Sequence, residues 1–321
     1  MSQVRRNLLL LSAGRRVALS RLLQGSAQRF GAELYCADMA PELSAACQEN
    51  GRSVRLSRVS APSFREELLE ICAQYEIGVV IPTIDTELEI LAMMRPALAA
   101  AGTVAVVSDL ELIQVSRDKR KSAEYFAQFA LNSPTVYDPN AIKFPAIAKP
   151  FDGSLSRDVS ILRGPEDLTR KIRTIPNIMF AAYLEHAHHE EFTVDAYYDR
   201  HSELKCVVPR LRLEVRGGEV VKGRAIKNDL VGFLFSRLAK IPGARGCLTF
   251  QFFRHRDTED VWLIELNPRF GGGYPLTAAA GAPYHEWLVR EYLEGETIAK
   301  LVNWQDGKTM LRFDDAVFLD G

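Results

Sequence analysis

The stretch VWLIELNPRFGGGYP, residues 261–275, begins as a strand for a dry interior and ends in polar groups. Four apolar residues come first, and Glu265, Asn267 and Arg269 then follow at alternate positions before three glycines. Successive side chains of a strand point to opposite faces. Glu265 and Asn267 therefore share one face, while their apolar neighbours point the other way.

A second strand brings one more amide to that face. The segment LTFQFF, residues 248–253, precedes the stretch across a short polar loop, which predicts an antiparallel hairpin with Gln251 near Glu265. One carboxylate and two amide oxygens suit Mg²⁺, a hard cation that takes oxygen ligands, whereas zinc would require His or Cys. The alternative is a satisfied polar strand end in which Glu265 pairs with Arg269.

Two lysines favour a site for phosphate. Lys149 ends the apolar strand FPAIAK and is followed by PFDGSLSRDVS, a small-residue loop whose backbone N–H groups can bind phosphate oxygens. Lys119 lies in SRDKRKSAEYF, where a solvated helix face is the alternative. An apolar strand rarely ends in lysine before a glycine loop, so Lys149 is the stronger candidate of the two.

The first hundred residues alternate short apolar strands with helical patterns, which predicts a parallel, doubly wound sheet. Ser63 and Glu66 are spaced as a capping box before one helix. Ligands of such sheets lie beyond the carboxyl ends of the strands, which here carry SAGRR (12–16), Asp38 and PTIDTE (82–87). SAGRR lacks the glycine pattern of a dinucleotide-binding turn, so we expect no nicotinamide site. The predicted strands are 7–11, 33–37, 53–56, 78–82 and 103–107.

The pattern changes after a predicted helix around residues 117–130. Long alternating strands joined by short turns, such as RGGE at 216–219, now dominate and indicate antiparallel sheet in an α+β arrangement. The boundary between the two parts is predicted near residue 110. The predicted strands are 144–149, 159–162, 178–184, 191–198, 203–215, 219–226, 248–254 and 261–266.

Composition limits the class of protein. Of 321 residues, 47% are hydrophobic and 25% charged, and 40 basic against 41 acidic residues give a net charge of -1, so no strong field attracts nucleic acid or membrane. No apolar run reaches the roughly 20 residues of a membrane span. The start, MSQVRRNLLLLSAG, imitates a signal peptide, but its apolar run is short and a first strand fits better. The cysteines are scattered and odd in number, which favours reduced thiols in the cytoplasm: Cys36, Cys47, Cys72, Cys206 and Cys247.

The order of these motifs carries a family resemblance. A DK pair before a helix is followed by FPAIAKP with its glycine–serine loop, then EEFTVD, FQFF and IELNPRFGGGYPLTAAAG. This order resembles the ATP-grasp superfamily, in particular short single-copy proteins related to the carbamoyl-phosphate synthase large chain. The resemblance implies a pre-ATP-grasp domain at 1–110 and a two-lobed ATP-grasp domain at 111–321. Within the latter, 111–184 would be the smaller nucleotide-covering lobe and 185–321 the magnesium-binding lobe.

The resemblance also implies a role for each matching residue. Lys119 and Lys149 would bind the nucleotide under the phosphate loop, which includes Gly153, Ser154 and Ser156. Tyr183 and Leu184 would meet adenine through their backbone, and Glu191 would contact ribose. Gln251, Glu265 and Asn267 would hold Mg²⁺, with Mn²⁺ as an alternative metal, and Arg269 would steady the transferred phosphate or acyl phosphate.

Several positions depart from the pattern of the family. Leu155 and Asp158 stand in the phosphate loop where relatives often have glycine, and Ala181 and Ala182 stand where they often have Gln and Glu. The segment HAHH (186–189) resembles a short insertion before Glu191. Its histidines, His186, His188 and His189, are either a metal site or a solvated turn, and the turn is the commoner case.

The implied activity is that of an ATP- and Mg²⁺-dependent ligase that joins a small carboxylate to an amine through an acyl phosphate. A phosphotransferase without ligation and a non-catalytic nucleotide-sensing subunit are the alternatives. The acceptor could contact Arg15 or Asp85 at the strand ends of the first domain, or Arg210 and Arg212, which share a strand face. Neither nucleic acid nor membrane is expected as a partner, and a homodimer is left open.

Overall fold

The first sheet has five parallel strands in the order β3-β2-β1-β4-β5. The structure is a computed structural model and describes residues 5–153 and 158–319. Leu8, Leu9 and Leu10 of the central strand are fully buried because helices cover both faces of the sheet. The elements are β1 (Asn7–Leu10), α1 (Val17–Arg29), β2 (Leu34–Asp38), α2 (Ala45–Asn50), β3 (Ser53–Arg55), α3 (Phe64–Gln74), β4 (Ile77–Ile81), α4 (Asp85–Ala100) and β5 (Val104–Ala105).

The strand order reverses beside β1, because β2 lies on one side of it and β4 on the other. The carboxyl ends of β1 and β4 therefore border the crevice in which doubly wound sheets bind ligands. The predicted doubly wound sheet is confirmed. It directs SAGRR and PTIDTE toward this crevice.

A four-stranded antiparallel sheet follows, in the order β6-β9-β7-β8. Two helices, α5 (Leu110–Arg117) and α6 (Lys119–Ala127), connect it to the first sheet. Ile113 of α5 packs into the first core and Leu112 into the next one, so the predicted boundary near 110 falls at a shared helix and stays a prediction. The elements are β6 (Val136–Tyr137), β7 (Ala146–Pro150), β8 (Ser160–Leu162), α7 (Arg170–Arg173) and β9 (Ile178–Ala182).

The third sheet has six antiparallel strands in the order β14-β13-β10-β11-β12-β15. Phe192 and Val194 of β10 pack with Phe250 and Phe252 of β13 in a buried core on one face. The residues that alternate with them carry the polar groups described below. The elements are β10 (His189–Tyr198), β11 (Leu204–Arg216), β12 (Glu219–Ala225), α8 (Asp229–Arg237), β13 (Gly246–His255), β14 (Val261–Asn267), α9 (Tyr274–Ala279), α10 (Tyr284–Tyr292) and β15 (Thr309–Leu311).

The predicted capping box at Ser63 and Glu66 is wrong. Helix α3 begins after Ser63, but within the described residues the Ser63 side chain accepts no hydrogen bond from the helix backbone. The neighbouring acid, Glu67, instead accepts hydrogen bonds from the backbone N–H and the hydroxyl of Ser57, both at 2.8 Å. Glu67 therefore binds the loop that leads into α3, and the first turn of the helix is held by this contact.

A buried ion pair fixes the interior of the third sheet. Arg210 donates to both carboxylate oxygens of Asp195, at 3.0 and 2.9 Å, and both side chains are almost fully buried. Thr249 of β13 and Thr277 of α9 donate their hydroxyls to the same carboxylate. The network joins three strands to a helix, and its hydrogen bonds offset the desolvation of both charges.

Asp195→Ala is expected to lower the free energy of unfolding by about 3–5 kcal/mol, because it leaves the Arg210 charge buried without a partner. The double variant Asp195→Leu with Arg210→Met removes both charges and should recover part of that loss. Urea denaturation of the wild type, both single variants and the double variant measures the coupling. A loss below about 1 kcal/mol for Asp195→Ala would contradict a supporting role for the pair.

Candidate functional site

The polar face at the end of β14 has the predicted composition. Gln251 of β13 lies opposite Glu265 in the strand register, which confirms the predicted hairpin. Asn267 donates its amide to Glu265 at 3.2 Å, so these two side chains do share a face. Glu265 pairs with Lys119 rather than with Arg269. The alternative of a Glu265–Arg269 salt bridge is therefore wrong.

The two lysines approach this face from two other elements. Lys119 begins α6, where its ammonium donates to the Gly153 carbonyl at 2.7 Å and lies 3.5 Å from the Glu265 carboxylate. Its side chain is only 12% exposed, so it does not belong to a solvated helix face. At the end of β7, burial lowers the pKa of Lys149 to about 8, an effect that Glu265 partly offsets and Lys119 reinforces.

An apolar cleft runs from the lysines between the second and third sheets. It holds about 630 Å³ of empty space, its solvent-filled mouth included, and its lining is mostly apolar, as in sites for small molecules. Among the described residues, neither the Tyr183 carbonyl nor the Leu184 N–H at its edge has a hydrogen-bond partner. The small side chains of Ala181 and Ala182 keep the cleft open. The apolar walls come from Val136, Ile147, Met179, Phe253, Leu263 and Ile264.

Glu191 lies beside the polar face on β10. Gln251 donates its amide nitrogen to Glu191, which leaves the amide oxygen of Gln251 free for another partner. Arg212 of β11 places its Nε 3.3 Å from Glu191. Of the predicted phosphate loop, Gly153 is described, whereas Ser154 and Ser156 lie outside the described residues.

This donor set fits a divalent cation. Glu265 supplies a carboxylate, and Gln251 and Asn267 supply amide oxygens, which are the ligand types that Mg²⁺ accepts. A thiolate or imidazole metal does not fit, because in residues 5–153 and 158–319 no three His, Cys, Asp or Glu side chains are grouped for metal binding.

The histidine segment packs as a turn. His189 is buried and bonds the Glu185 carbonyl through Nδ1 at 2.8 Å, while His188 stacks on His255. His186 packs against Phe253 at the cleft. These contacts account for the cluster without a metal ion.

Arg269 connects the polar face to the first sheet. Its guanidinium donates to Asp85, the first residue of α4, at 2.8 Å and to the side-chain amide oxygen (Oδ1) of Asn267 at 3.2 Å. Within the described chain, the buried Nε of Arg269 has no hydrogen-bond partner. This ion pair brings Asp85, a predicted contact of the acceptor, close to the candidate site.

Arg210 is wrong as an acceptor candidate. Its guanidinium is buried against Asp195 and cannot meet a substrate; sequence alternation gives the face of a residue but not its depth. Arg212 places its Nε 3.3 Å from Glu191, at the edge of the polar face, and its contact with an acceptor stays a prediction. Arg15 is exposed, and its neighbour Arg16 turns inward instead to donate to the Thr83 carbonyl at 3.1 Å.

The three glycines after Arg269 rest on the buried network. A side chain at Gly273 would clash with the Arg210 guanidinium, and one at Gly271 would lie 2.9 Å from Thr249. Both neighbours are partners of Asp195. The run of glycines therefore lets the loop lie close to the buried network beneath it.

Sequence reasoning missed three residues near this loop. Arg312 follows β15 and donates to the Gly272 carbonyl, and it pairs with Glu219 at 3.0 Å. Arg16 and Glu87 lie in SAGRR and PTIDTE, two segments predicted to border the crevice, but the pattern could not decide which of their side chains point inward. No local signal connects Arg312 to a loop forty residues earlier.

Glu87 holds the end of β4. Its carboxylate accepts hydrogen bonds from the Thr83 and Ile84 N–H groups, at 2.6 and 3.1 Å, and from the Ser12 hydroxyl at 2.8 Å. Burial raises the pKa of Glu87 to about 7, although these bonds oppose the change. This carboxyl group thus joins the ends of β1 and β4 on which Asp85 and Arg16 depend.

Comparison with known proteins gives two family matches. Residues 8–107 match the model described as "PylC-like, N-terminal domain", and residues 174–315 match "ATP-grasp in the biosynthetic pathway with Ter operon". A curated relative, carbamoyl-phosphate synthase of Methanobrevibacter smithii, is 20% identical over 230 residues. That alignment covers 65% of this chain and 62% of the relative, so the chain spans under two thirds of the relative's length.

Solved structures share the fold. The biotin carboxylase domain of the Hydrogenobacter thermophilus 2-oxoglutarate carboxylase, solved with MgADP and bicarbonate, superposes with a TM-score of 0.72 at 15% identity, covering 95% of this chain and 72% of its own. An L-amino acid ligase from Bacillus licheniformis superposes with a TM-score of 0.65 at 14% identity, covering 91% and 75%. In the described part of this chain, no helix has the length and apolarity needed to cross a membrane.

Glu87→Gln is expected to remove one pH dependence of stability. Since the pKa of Glu87 is about 7 when folded and ordinarily 4.5, the folded chain holds a proton that the unfolded chain releases between these values. Stability from this group is therefore present below pH 4.5 and lost as pH rises through 7. At about 1.4 kcal/mol per pKa unit, the free energy of unfolding of the variant should rise by about 3 kcal/mol relative to that of the wild type between pH 4.5 and 8.

Denaturation of both proteins at the two pH values measures this difference. Gln can keep the geometry, since its oxygen accepts from both N–H groups and its nitrogen donates to Ser12. Glu89→Gln, an exposed change on the same helix, is the control and should show no such gain. A constant difference between Glu87→Gln and the wild type would contradict the prediction.

Proposed function

We propose that the chain is an ATP- and Mg²⁺-dependent ligase of the ATP-grasp superfamily that joins a small carboxylate to an amine. The observation that carries the proposal is the meeting of Lys119, Lys149 and Glu265 at the polar end of an apolar cleft. Three separate elements bring two cations and an acid together there. A structural role alone gives no reason to bury Lys149 beside a second lysine.

Adenine would occupy the apolar cleft. The unpaired Tyr183 carbonyl and Leu184 N–H offer one acceptor and one donor to the edge of the base, as expected for the family. The aliphatic and aromatic walls would bury its faces. Glu191, near the mouth of the cleft, is proposed to contact the ribose.

The phosphates would lie between the lysines and the polar face. Lys119 and Lys149 would neutralise phosphate charge, and Gly153 with Ser154 and Ser156 would supply the covering loop. Gln251, Glu265 and Asn267 would hold Mg²⁺, which neutralises charge on the transferring phosphoryl group when bound. The Lys119–Glu265 pair keeps both side chains aimed at this space in the absence of ligand.

The proposed reaction has two steps. A carboxylate oxygen of the substrate attacks the γ-phosphorus, and the bond from this phosphorus to the bridging oxygen breaks. This step forms an acyl phosphate and releases ADP. An amine nitrogen then attacks the acyl carbon, and inorganic phosphate leaves with the electron pair. Arg269, two residues beyond Asn267, is proposed as the catalytic residue that stabilises charge on the carboxyl and phosphoryl oxygens.

Transfer of ¹⁸O tests the acyl phosphate. Small carboxylates are screened for ADP release, with hydroxylamine as a general nucleophile, and each active acid is then supplied with ¹⁸O in its carboxylate. Label is expected in the released phosphate, and Glu265→Gln should remove most of the turnover. Glu190→Gln is the matched control, because Glu190 is a partly exposed acid of β10 in the same sheet and its partners are Arg254 and Arg256.

Two outcomes would overturn this assignment. ADP release without label in phosphate would indicate that the labelled carboxylate forms no acyl phosphate, which would overturn the proposed reaction. Nucleotide binding with no ADP release for any acid would indicate a nucleotide-sensing protein. Full activity of Glu265→Gln would remove the proposed metal site.

Arg269→Lys is expected to separate binding from chemistry. The planar guanidinium can contact a phosphoryl and a carboxyl oxygen together, which an ammonium cannot imitate. Nucleotide affinity should stay within a few-fold of wild type, while turnover at saturating ATP falls by about a hundredfold. Arg256→Lys, a half-exposed arginine away from the site, is the control. Lost affinity with unchanged turnover would make Arg269 a nucleotide clamp only.

A further inference from the structure

Three guanidiniums gather where the crevice of the first sheet meets the glycine loop. Arg269 reaches Asp85 from the end of β14. Arg16 enters from the end of β1 and donates to the Thr83 carbonyl. Arg312 enters from the end of β15 and donates to the Gly272 carbonyl. Three distant segments thus direct positive charge to one place.

Gly272 marks the point where Arg16 and Arg312 approach each other. A Cβ atom at Gly272 would lie 3.4 Å from a terminal nitrogen of Arg16 and 3.5 Å from one of Arg312. Unlike Gly271 and Gly273, this residue faces no buried partner of Asp195. Its open side is lined by the two guanidiniums.

Positive charge is in excess here. Three arginines face two acids, Asp85 and Glu219, and the Glu219 side chain is 50% exposed. Burial lowers the pKa of Arg16 to about 10, with Arg269 the next largest cause. Among the described residues, the buried Nε of Arg269 also lacks an acceptor. An anion placed between these groups would relieve the repulsion.

We propose, resting on the ligase function above, that Arg16 and Arg312 form a second anion subsite that selects acids carrying a second carboxylate. The reacting carboxylate would lie at Arg269, next to Asn267. The other would lie between Arg16 and Arg312, where guanidiniums can bind it in a bidentate manner.

The spacing favours a short dicarboxylate. Two residues separate Arg269 from Gly272, so their Cα atoms are at most about 10–11 Å apart. Acids of four or five carbons fit within such a distance. An uncharged end group would leave two guanidiniums without an anion, which is a stronger ground for rejection than a difference in size.

Matched pairs of acids test the subsite. The probes are succinate and succinamate, glutarate and glutaramate, L-aspartate and L-asparagine, and L-glutamate and L-glutamine, with MgATP and hydroxylamine. Hydroxamate formation and ADP release report turnover. For at least one pair, the diacid should have a KM about tenfold to a hundredfold below that of its amide, the scale of a lost charged hydrogen bond.

Arg312→Gln and Arg16→Gln should each remove that preference by raising the KM of the diacid, with kcat changed less. Arg224→Gln is the control, because Arg224 is an exposed arginine of β12 that bonds Thr309 of β15 without reaching the glycine loop. Affinity for MgATP should be the same in all three variants. This separates loss of the subsite from loss of the fold.

Calorimetric binding of the same acids to the protein saturated with a non-hydrolysable ATP analogue and Mg²⁺ distinguishes the two proposals. Equal KM values for acids and amides, or equal behaviour of Arg312→Gln and Arg224→Gln, would overturn the subsite and leave the ligase function intact. Diacid binding that depends on Arg312 without any turnover would support the subsite and overturn the ligase function. Absence of both binding and turnover would overturn both.

Discussion

The buried pairing of Asp195 with Arg210 is the constraint on which the rest of the site depends. The pair lies between the sheet and the glycine loop. Thr249 and Arg210, which both bond Asp195, leave no room for a Cβ atom at Gly271 and Gly273, respectively. The loop can lie flat only because those partners are fixed. The path of the chain from Arg269 to Gly273 therefore follows from a network that is buried beneath it.

Such a pair contributes specificity more than stability. Removing both charges from an interior often costs little, whereas moving one strand by a single residue would turn Asp195 into the apolar core and Phe192 or Val194 out of it. The register that pairs Gln251 with Glu265 belongs to the same sheet. Asp195 thus helps to keep the polar face of β10, β13 and β14 aligned across strands that are far apart in sequence.

Periodicity in the sequence was sufficient wherever the relevant property was local. It predicted the parallel and antiparallel sheets, the hairpin that joins Gln251 to Glu265, and the position of Lys149 at the end of its strand. It failed wherever depth or distant contact decided the outcome. Arg210 alternates like a site residue yet is buried, and Arg15 and Arg16 are indistinguishable until the turn is known. Arg312 meets the glycine loop through strand pairing that no local pattern encodes.

The ion pair between Arg269 and Asp85 makes the two halves of the chain interdependent. The arginine follows β14, an edge strand of the six-stranded sheet, and the acid begins a helix that follows β4 of the parallel sheet. The direction in which this guanidinium points is consequently inherited from a part of the molecule that contributes nothing to the apolar cleft. A replacement of either half would change the direction of this arginine unless the new half also supplied an acid at the place of Asp85.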